Sequence, residues 1–284
     1  MPLVLKGAPV VRKIREKIEK DVAHFTGEGC VPTLAILRVG ERADDIYYEN
    51  SAVKKCNDVG IKAHQIHLPG HADTNAVLME VRAINREKGI HGALVLRPMP
   101  GQVEENAIKE ALDPAKDVDC MCDENLFRVF CGDEAGFVPC TPQAVVRLLE
   151  HYDIPVEGKE VCIIGRSLVV GKPLSMMLLK RNATVTMCHT RTADLEMVTQ
   201  RADILIAAAG AMHMVKKNHV KPGAIVVDVG INMDADGKMT GDVDYDAIQE
   251  VAGGISPVPG GIGGITSWLL LEHVLDAVKN QRGE

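Results

Sequence analysis

Short runs of aliphatic and β-branched residues recur along this chain, each set off from the next by a stretch of helical periodicity. That alternation restricts the fold more than any other property. An amphipathic run from Pro9 to about His24 leads to TLAILRV (Thr33 to Val39), and a helical stretch from about Asp44 to Val59 leads to IKAHQIHL (Ile61 to Leu68). A third, from about Thr74 to Lys88, leads to GALVLRP (Gly92 to Pro98). Strands separated by helices of this length predict βαβ units and a parallel sheet. The second half repeats the pattern with VCIIG (Val161 to Gly165), ATVTMC (Ala183 to Cys188), ADILIAAAG (Ala202 to Gly210) and AIVVDVG (Ala224 to Gly230). These read as strands buried on both faces, with a helix from Gly171 to Arg181 between the first two.

The fold class is therefore α/β, and 284 residues suffice for two domains. Two prolines in FVPCTP (Phe137 to Pro142) interrupt the pattern and mark the boundary. A last helical stretch, from about Ile265 to Lys279, follows a Gly/Pro-rich loop and is expected to pack back on the first domain. The reading is residues 1–139 with 265–284 as one domain and 140–264 as the other. The net charge is −7, and the basic residues are scattered among acidic ones, which argues against a nucleic-acid partner. No apolar run approaches the roughly 20 residues that span a bilayer, and the first residues lack the pattern of a secretory signal. A cytoplasmic protein with no membrane partner is expected. Of eight cysteines only Cys120 and Cys122 lie close together, as C-x-C without a second cluster, so reduced thiols and no metal site are expected.

Gly165-Arg166-Ser167 follows a predicted strand and Gly171-Lys172-Pro173 opens the next helix, the placement of a phosphate-binding turn. The spacing is not G-x-G-x-x-G, and glycines at such turns are as often structural. At the end of the next strand, where an NAD-specific domain tends to carry an acidic residue for the ribose, stands Cys188-His189-Thr190-Arg191. Arg166, Thr190 and Arg191 together suit a 2′-phosphate. Residues 140–264 thus read as a Rossmann-like domain for NADP, with Gly210 and Gly230-Ile231 following its later strands.

KDVD (Lys116 to Asp119), PCTP (Pro139 to Pro142), GRSLVVGKP (Gly165 to Pro173), ATVTMCHTRT (Ala183 to Thr192), DVGIN (Asp228 to Asn232), GDVDY (Gly241 to Tyr245) and PVPGGIGGIT (Pro257 to Thr266) occur in this order. Through these seven segments the chain resembles the methylenetetrahydrofolate dehydrogenase/cyclohydrolases along nearly its whole length. The resemblance implies a catalytic α/β domain and an NADP domain with a cleft between them, a homodimer, and tetrahydrofolate derivatives as substrates. It makes Tyr48 and Asp119 catalytic and substrate-binding residues, Asp119 as the carboxylate that holds the pterin. Pro259, Gly260, Gly261 and Thr266 fall in a loop that closes over pterin and nicotinamide. Gly165, Arg166, Ser167, Gly171, Pro173, His189, Thr190, Arg191, Gly210, Gly230 and Ile231 become the cofactor-binding set.

The chain departs from the family pattern at telling places. The family places a lysine four residues past Tyr48, where this chain has Ala52, and Lys54 leaves the helix about 200 degrees away. The glutamine that pairs with that lysine is replaced by Leu96 in VLRPMP (Val95 to Pro100), a serine by Asp45, and a loop proline by Gly264. Hydride transfer chiefly needs two aligned molecules, whereas hydrolysis of the methenyl cation needs protons moved between oxygen and nitrogen. The expectation is oxidation of methylenetetrahydrofolate with weak or absent cyclohydrolase. One alternative is the full bifunctional enzyme, with Arg97, Lys54 or Lys55 as the cation; strand alternation aims Arg97 at the opposite face from the lost glutamine. The other alternative is an inactive folate- and NADP-binding paralogue.

Overall fold

The computed structural model describes residues 2–133 and 135–283. Packing divides the chain into two units. One comprises Lys13–Val138 and resumes from Ser267; the other runs through Arg12 and resumes over Pro139–Thr266. The first dozen residues, expected with the first domain, pack with the second half instead, because Leu3–Val4 adds a parallel strand to its sheet beside Gly254–Ile255.

In the first unit, Thr33–Val39 is the central strand of three, flanked by Lys62–Leu68 and Gly92–Val95, all parallel. Every residue of the central strand is buried. Ala35, Leu37 and Val39 meet Val77, Val81 and Ile84 of the helix Thr74–Arg86 in one core, as the period of two along a strand requires. The helix Ala43–Val59 begins four residues after that strand ends and stops at Gly60, whose φ of 82° is the left-handed conformation that suits glycine.

The second unit holds a six-stranded parallel sheet in the order Leu3–Val4, Gly254–Ile255, Ile225–Asp228, Ile204–Ala207, Glu160–Ile164, Thr184–Cys188. Glu160–Ile164 has its chain successor on one side and the next strand on the other. The strand order therefore reverses between it and Ile204–Ala207, the kind of place where open α/β sheets bind ligands. Cys162, Ile164, Leu205, Ala207 and Val226 form the core beneath.

Three expectations need correcting. Thr184–Cys188 is an edge strand with exposed positions, not a strand buried on both faces. Gly92–Val95 ends before Leu96, so strand alternation does not set the direction of Arg97. The last helix spans Ile262–Arg282 and so takes in Gly263, Gly264 and Thr266, which were expected in a loop. Burial of Ile262 and Ile265, three apart on one face, outweighs the poor helical propensity of the two glycines.

Candidate active site

Gly165 and Gly171 form the turn at the switch point because nothing larger fits. A Cβ on Gly165, whose φ is 131°, would run into the Ala208 carbonyl, and one on Gly171 into the Gly165 carbonyl. The helix Gly171–Leu179 can therefore start against the strand end, with Pro173 in its first turn. Ser167 Oγ accepts from Val170 N at 3.0 Å, which shapes the turn. The register Ile164 to Cys188 sets Gly165 level with His189 on the neighbouring strand. Arg166, Thr190 and Arg191 thus stand exposed along one sheet edge. His189 Nδ1 accepts from Arg191 N at 3.1 Å, folding that turn.

Gly210 and Gly230 are held by two carboxylates that the sequence reading did not single out. Asp242, fully buried, accepts from the backbone N–H groups of Ala209, Gly210 and Ala211 at 2.7–2.9 Å and from Asn232 Nδ2 at 2.9 Å. Asp228 in turn accepts from the N–H groups of Gly230, Asp242 and Val243 at 2.9–3.1 Å. Burial, with Asp242 as a like charge nearby, pushes the Asp228 carboxyl up to about 6 against those hydrogen bonds. A Cβ on Gly230 would collide with the Asp242 carboxylate, so this glycine answers a packing demand. Ile231 beside it is exposed. The signal for both aspartates was in DVGIN and GDVDY, each with an acidic residue next to an apolar one at a strand end. Pro259, Gly260 and Gly261 form the turn before the last helix, where Gly260 has a φ of 106° and its carbonyl accepts from Gly7 N at 2.8 Å. Thr266 lies inside that helix, its hydroxyl donating to the Ile262 carbonyl.

In the other unit Tyr48 lies on the helix Ala43–Val59, one-third exposed. Asp119 follows a bridge of Asp117 to Ala93 and stands 3.7 Å from Arg97 Nη2 through Oδ2. The segment carrying it is pinned from both sides. Buried Asp117 accepts from Met121 N, Cys122 N and Asn125 Nδ2 at 2.8–2.9 Å. His273 lies 2.8 Å from the Val118 carbonyl through Nδ1. Ala52 and Leu96 are buried. Lys55 Nζ donates to Ser51 Oγ at 2.6 Å, and burial, with Lys54 adding to it, lowers its pKa. Also unforeseen is a buried network behind Tyr48. Glu49 accepts from Arg38 Nε at 2.6 Å and Gln65 Nε2 at 2.8 Å and pairs with His67 at 2.6 Å. All eight cysteines are free thiols, Cys162 and Cys188 lying 3.5 Å apart through sulfur. No helix among the described residues is long and apolar enough to cross a membrane.

A parallel sheet with a glycine turn and a basic edge at its switch point defines a dinucleotide-binding α/β protein. The chain belongs to the tetrahydrofolate dehydrogenase/cyclohydrolase family: its catalytic-domain model matches residues 5–119 and its NAD(P)-binding-domain model residues 139–282. Bifunctional protein FolD 1 of Desulfitobacterium hafniense is 46% identical over 281 residues, covering 99% of this chain and all of that protein. The crystal structure of the bifunctional FolD from Campylobacter jejuni superposes with a TM-score of 0.97 at 38% identity, covering 99% of each chain. A FolD from Trypanosoma brucei, solved with NADP cofactor and inhibitor, superposes with a TM-score of 0.93 at 30% identity, covering 100% of this chain and 99% of that one.

Proposed function

We propose that this chain oxidises 5,10-methylenetetrahydrofolate to the methenyl form with NADP and then hydrolyses the product to 10-formyltetrahydrofolate. The observation that carries the first step is the switch-point turn, where Gly165 and Gly171 let the strand end and the helix start pack closely and the strand edge bears Arg166, Thr190 and Arg191 with no carboxylate among them. Those residues would hold NADP, which supplies the hydride acceptor. The chain itself need only align two molecules, Asp119 and Tyr48 acting on the folate side, since the nitrogen lone pair of the substrate drives hydride departure.

The names of the relatives support the second step better than the expectation of a crippled cyclohydrolase does. Hydrolysis needs a proton carrier, and Ala52 is none. Lys55 is the group that fits. It lies seven residues past Tyr48, within about 20° of the same helix face. Its side chain returns toward the helix N-terminus to Ser51, beside Ala52, and burial lowers its pKa in the direction a shuttling amine requires. A guanidinium such as Arg97 offers charge and N–H donors but is no proton carrier. The competing reading, a dehydrogenase that releases methenyltetrahydrofolate, rests on Ala52 and Leu96 alone. We further read the protein as a cytoplasmic homodimer.

One spectrophotometric assay following NADPH formation and methenyl decay separately tests this. Enzyme-dependent decay that falls about 10²–10⁴-fold in Lys55→Met, with NADPH formation kept, is the expected result. Decay at the uncatalysed rate in the unmodified protein would establish the dehydrogenase-only reading. Arg166→Ala should weaken NADP more than NAD, and equal or better use of NAD by the unmodified protein would refute the cofactor assignment.

A further inference from the structure

We propose that Arg97 is a specificity-determining residue that reads the 4-oxo group of the pterin while Asp119 reads its amino and ring N–H groups. The inference rests on the folate reading above and adds to it a residue and a discrimination. The pyrimidine edge of a pterin presents, in order, a donor (2-amino), a donor (N3–H) and an acceptor (O4). A carboxylate supplies two acceptors and leaves O4 unmatched. A guanidinium next to that carboxylate completes the complement, donor facing acceptor.

The structure puts the two groups together in that arrangement. Arg97 stands two residues past the end of Gly92–Val95, and Asp119 two residues past the point where Asp117 bridges to Ala93 on the same strand. Both lie outside the carboxyl ends of the sheet, where α/β folds bind ligands. Arg97 Nη2 is 3.7 Å from Asp119 Oδ2, close enough to orient the pair but beyond hydrogen-bond distance. Among the described residues the guanidinium makes no hydrogen bond, so its donors are not consumed by the protein. The side chains are 24% and 29% exposed, reachable by a ligand and partly desolvated.

Asp119 is also aimed rather than loose. The hydrogen bonds to Asp117 fix the chain around it, and Cys120 next to it adopts a φ of 57°, a left-handed conformation that persists only where the surroundings impose it. As a structural ion pair this contact contributes little, being partly exposed and long. As half of a three-point recognition edge, its geometry has a use.

The test compares the unmodified protein with Arg97→Leu and Arg97→Lys. KM and kcat are measured for methylenetetrahydrofolate, and affinities for folate and its 4-amino counterpart are measured by competition. Replacing O4 by an amino group turns the acceptor that faces Arg97 into a donor, and it also turns N3–H into an acceptor facing Asp119, so each residue contributes to the discrimination. Arg97→Leu should raise the folate KM about tenfold or more with kcat and the NADP KM nearly unchanged. It should also shrink the preference for the 4-oxo over the 4-amino ligand by the share that Arg97 supplies, leaving the share due to Asp119, while Arg97→Lys keeps more of it. The affinity ratio does not depend on how much of a variant is folded. An unchanged KM, or equal loss of affinity for both ligands, would overturn the inference while leaving the proposed function standing. Failure of the unmodified protein to bind or oxidise the folate would overturn both.

Discussion

Glu49 follows Tyr48 in sequence and faces the other way, into the protein, where it is 2% exposed and receives Arg38, Gln65 and His67. Burial alone would raise its pKa, but the hydrogen bonds from these partners outweigh that and lower it. A lowered carboxylate contributes stability that is present above its unfolded value and lost as pH falls through its folded one. Glu49→Ala strands the Arg38 guanidinium, itself only 9% exposed, and should cost about 3–5 kcal/mol, read from urea unfolding. Glu49→Gln should flatten the acid limb of the stability profile, and an unchanged limb would assign it to other carboxylates. The neighbouring Ala52 offers a constructive change. Ala52→Lys with Leu96→Gln should raise methenyl hydrolysis, although Asp45, now 3.9 Å from Arg42, will compete for the new ammonium. No rise in the double variant would mean that the site is shaped around Lys55.

Between strand ends, the pair Asp228 and Asp242 ties the loops after Ile204–Ala207 and Ile225–Asp228 into one body. Asp242→Asn replaces an acceptor oxygen by an amide donor facing N–H groups, so the loops bearing Gly210 and Gly230 should loosen and the NADP KM rise about tenfold with the folate KM little changed. Asp228, raised to about 6, works in the opposite sense from Glu49: its contribution to stability is complete at low pH and lost as pH rises through about 6. Asp228→Asn should remove that component from a melting-temperature profile between about pH 4 and 6. The strands and helices were legible because their pattern is local: Thr33–Val39 and Ile204–Ala207 announce themselves as apolar runs bounded by turn residues. The site was legible where a motif is contiguous, as in the Gly165 turn. Hidden were features made by distant residues. The carboxylate pair joins positions 14 apart to a third loop, the Glu49 network crosses two strands and a helix, and Arg97 was misdirected because its strand stops at Val95.

Across the whole molecule neither unit is a continuous stretch of chain, since the division falls within both long helices, after Arg12 and after Thr266. NADP at a hundred times its dissociation constant should stabilise the protein by about 2.7 kcal/mol, and limited proteolysis should show protection over residues 160–230. Removing residues 1–6 should destabilise the nucleotide unit first, detected as early cleavage after Pro139, because Gly254–Ile255 loses its outer neighbour. That small edge strand also carries a cost in time. Leu3 pairs with Gly254, about 250 residues later, and at ribosomal speeds of roughly 5–20 residues per second it waits on the order of 10–50 s for its partner to be made. Leu3 and Val4 emerge long before their partners, so for that interval a nascent chain carries them unpaired, in reach of whatever chaperone attends the tunnel exit.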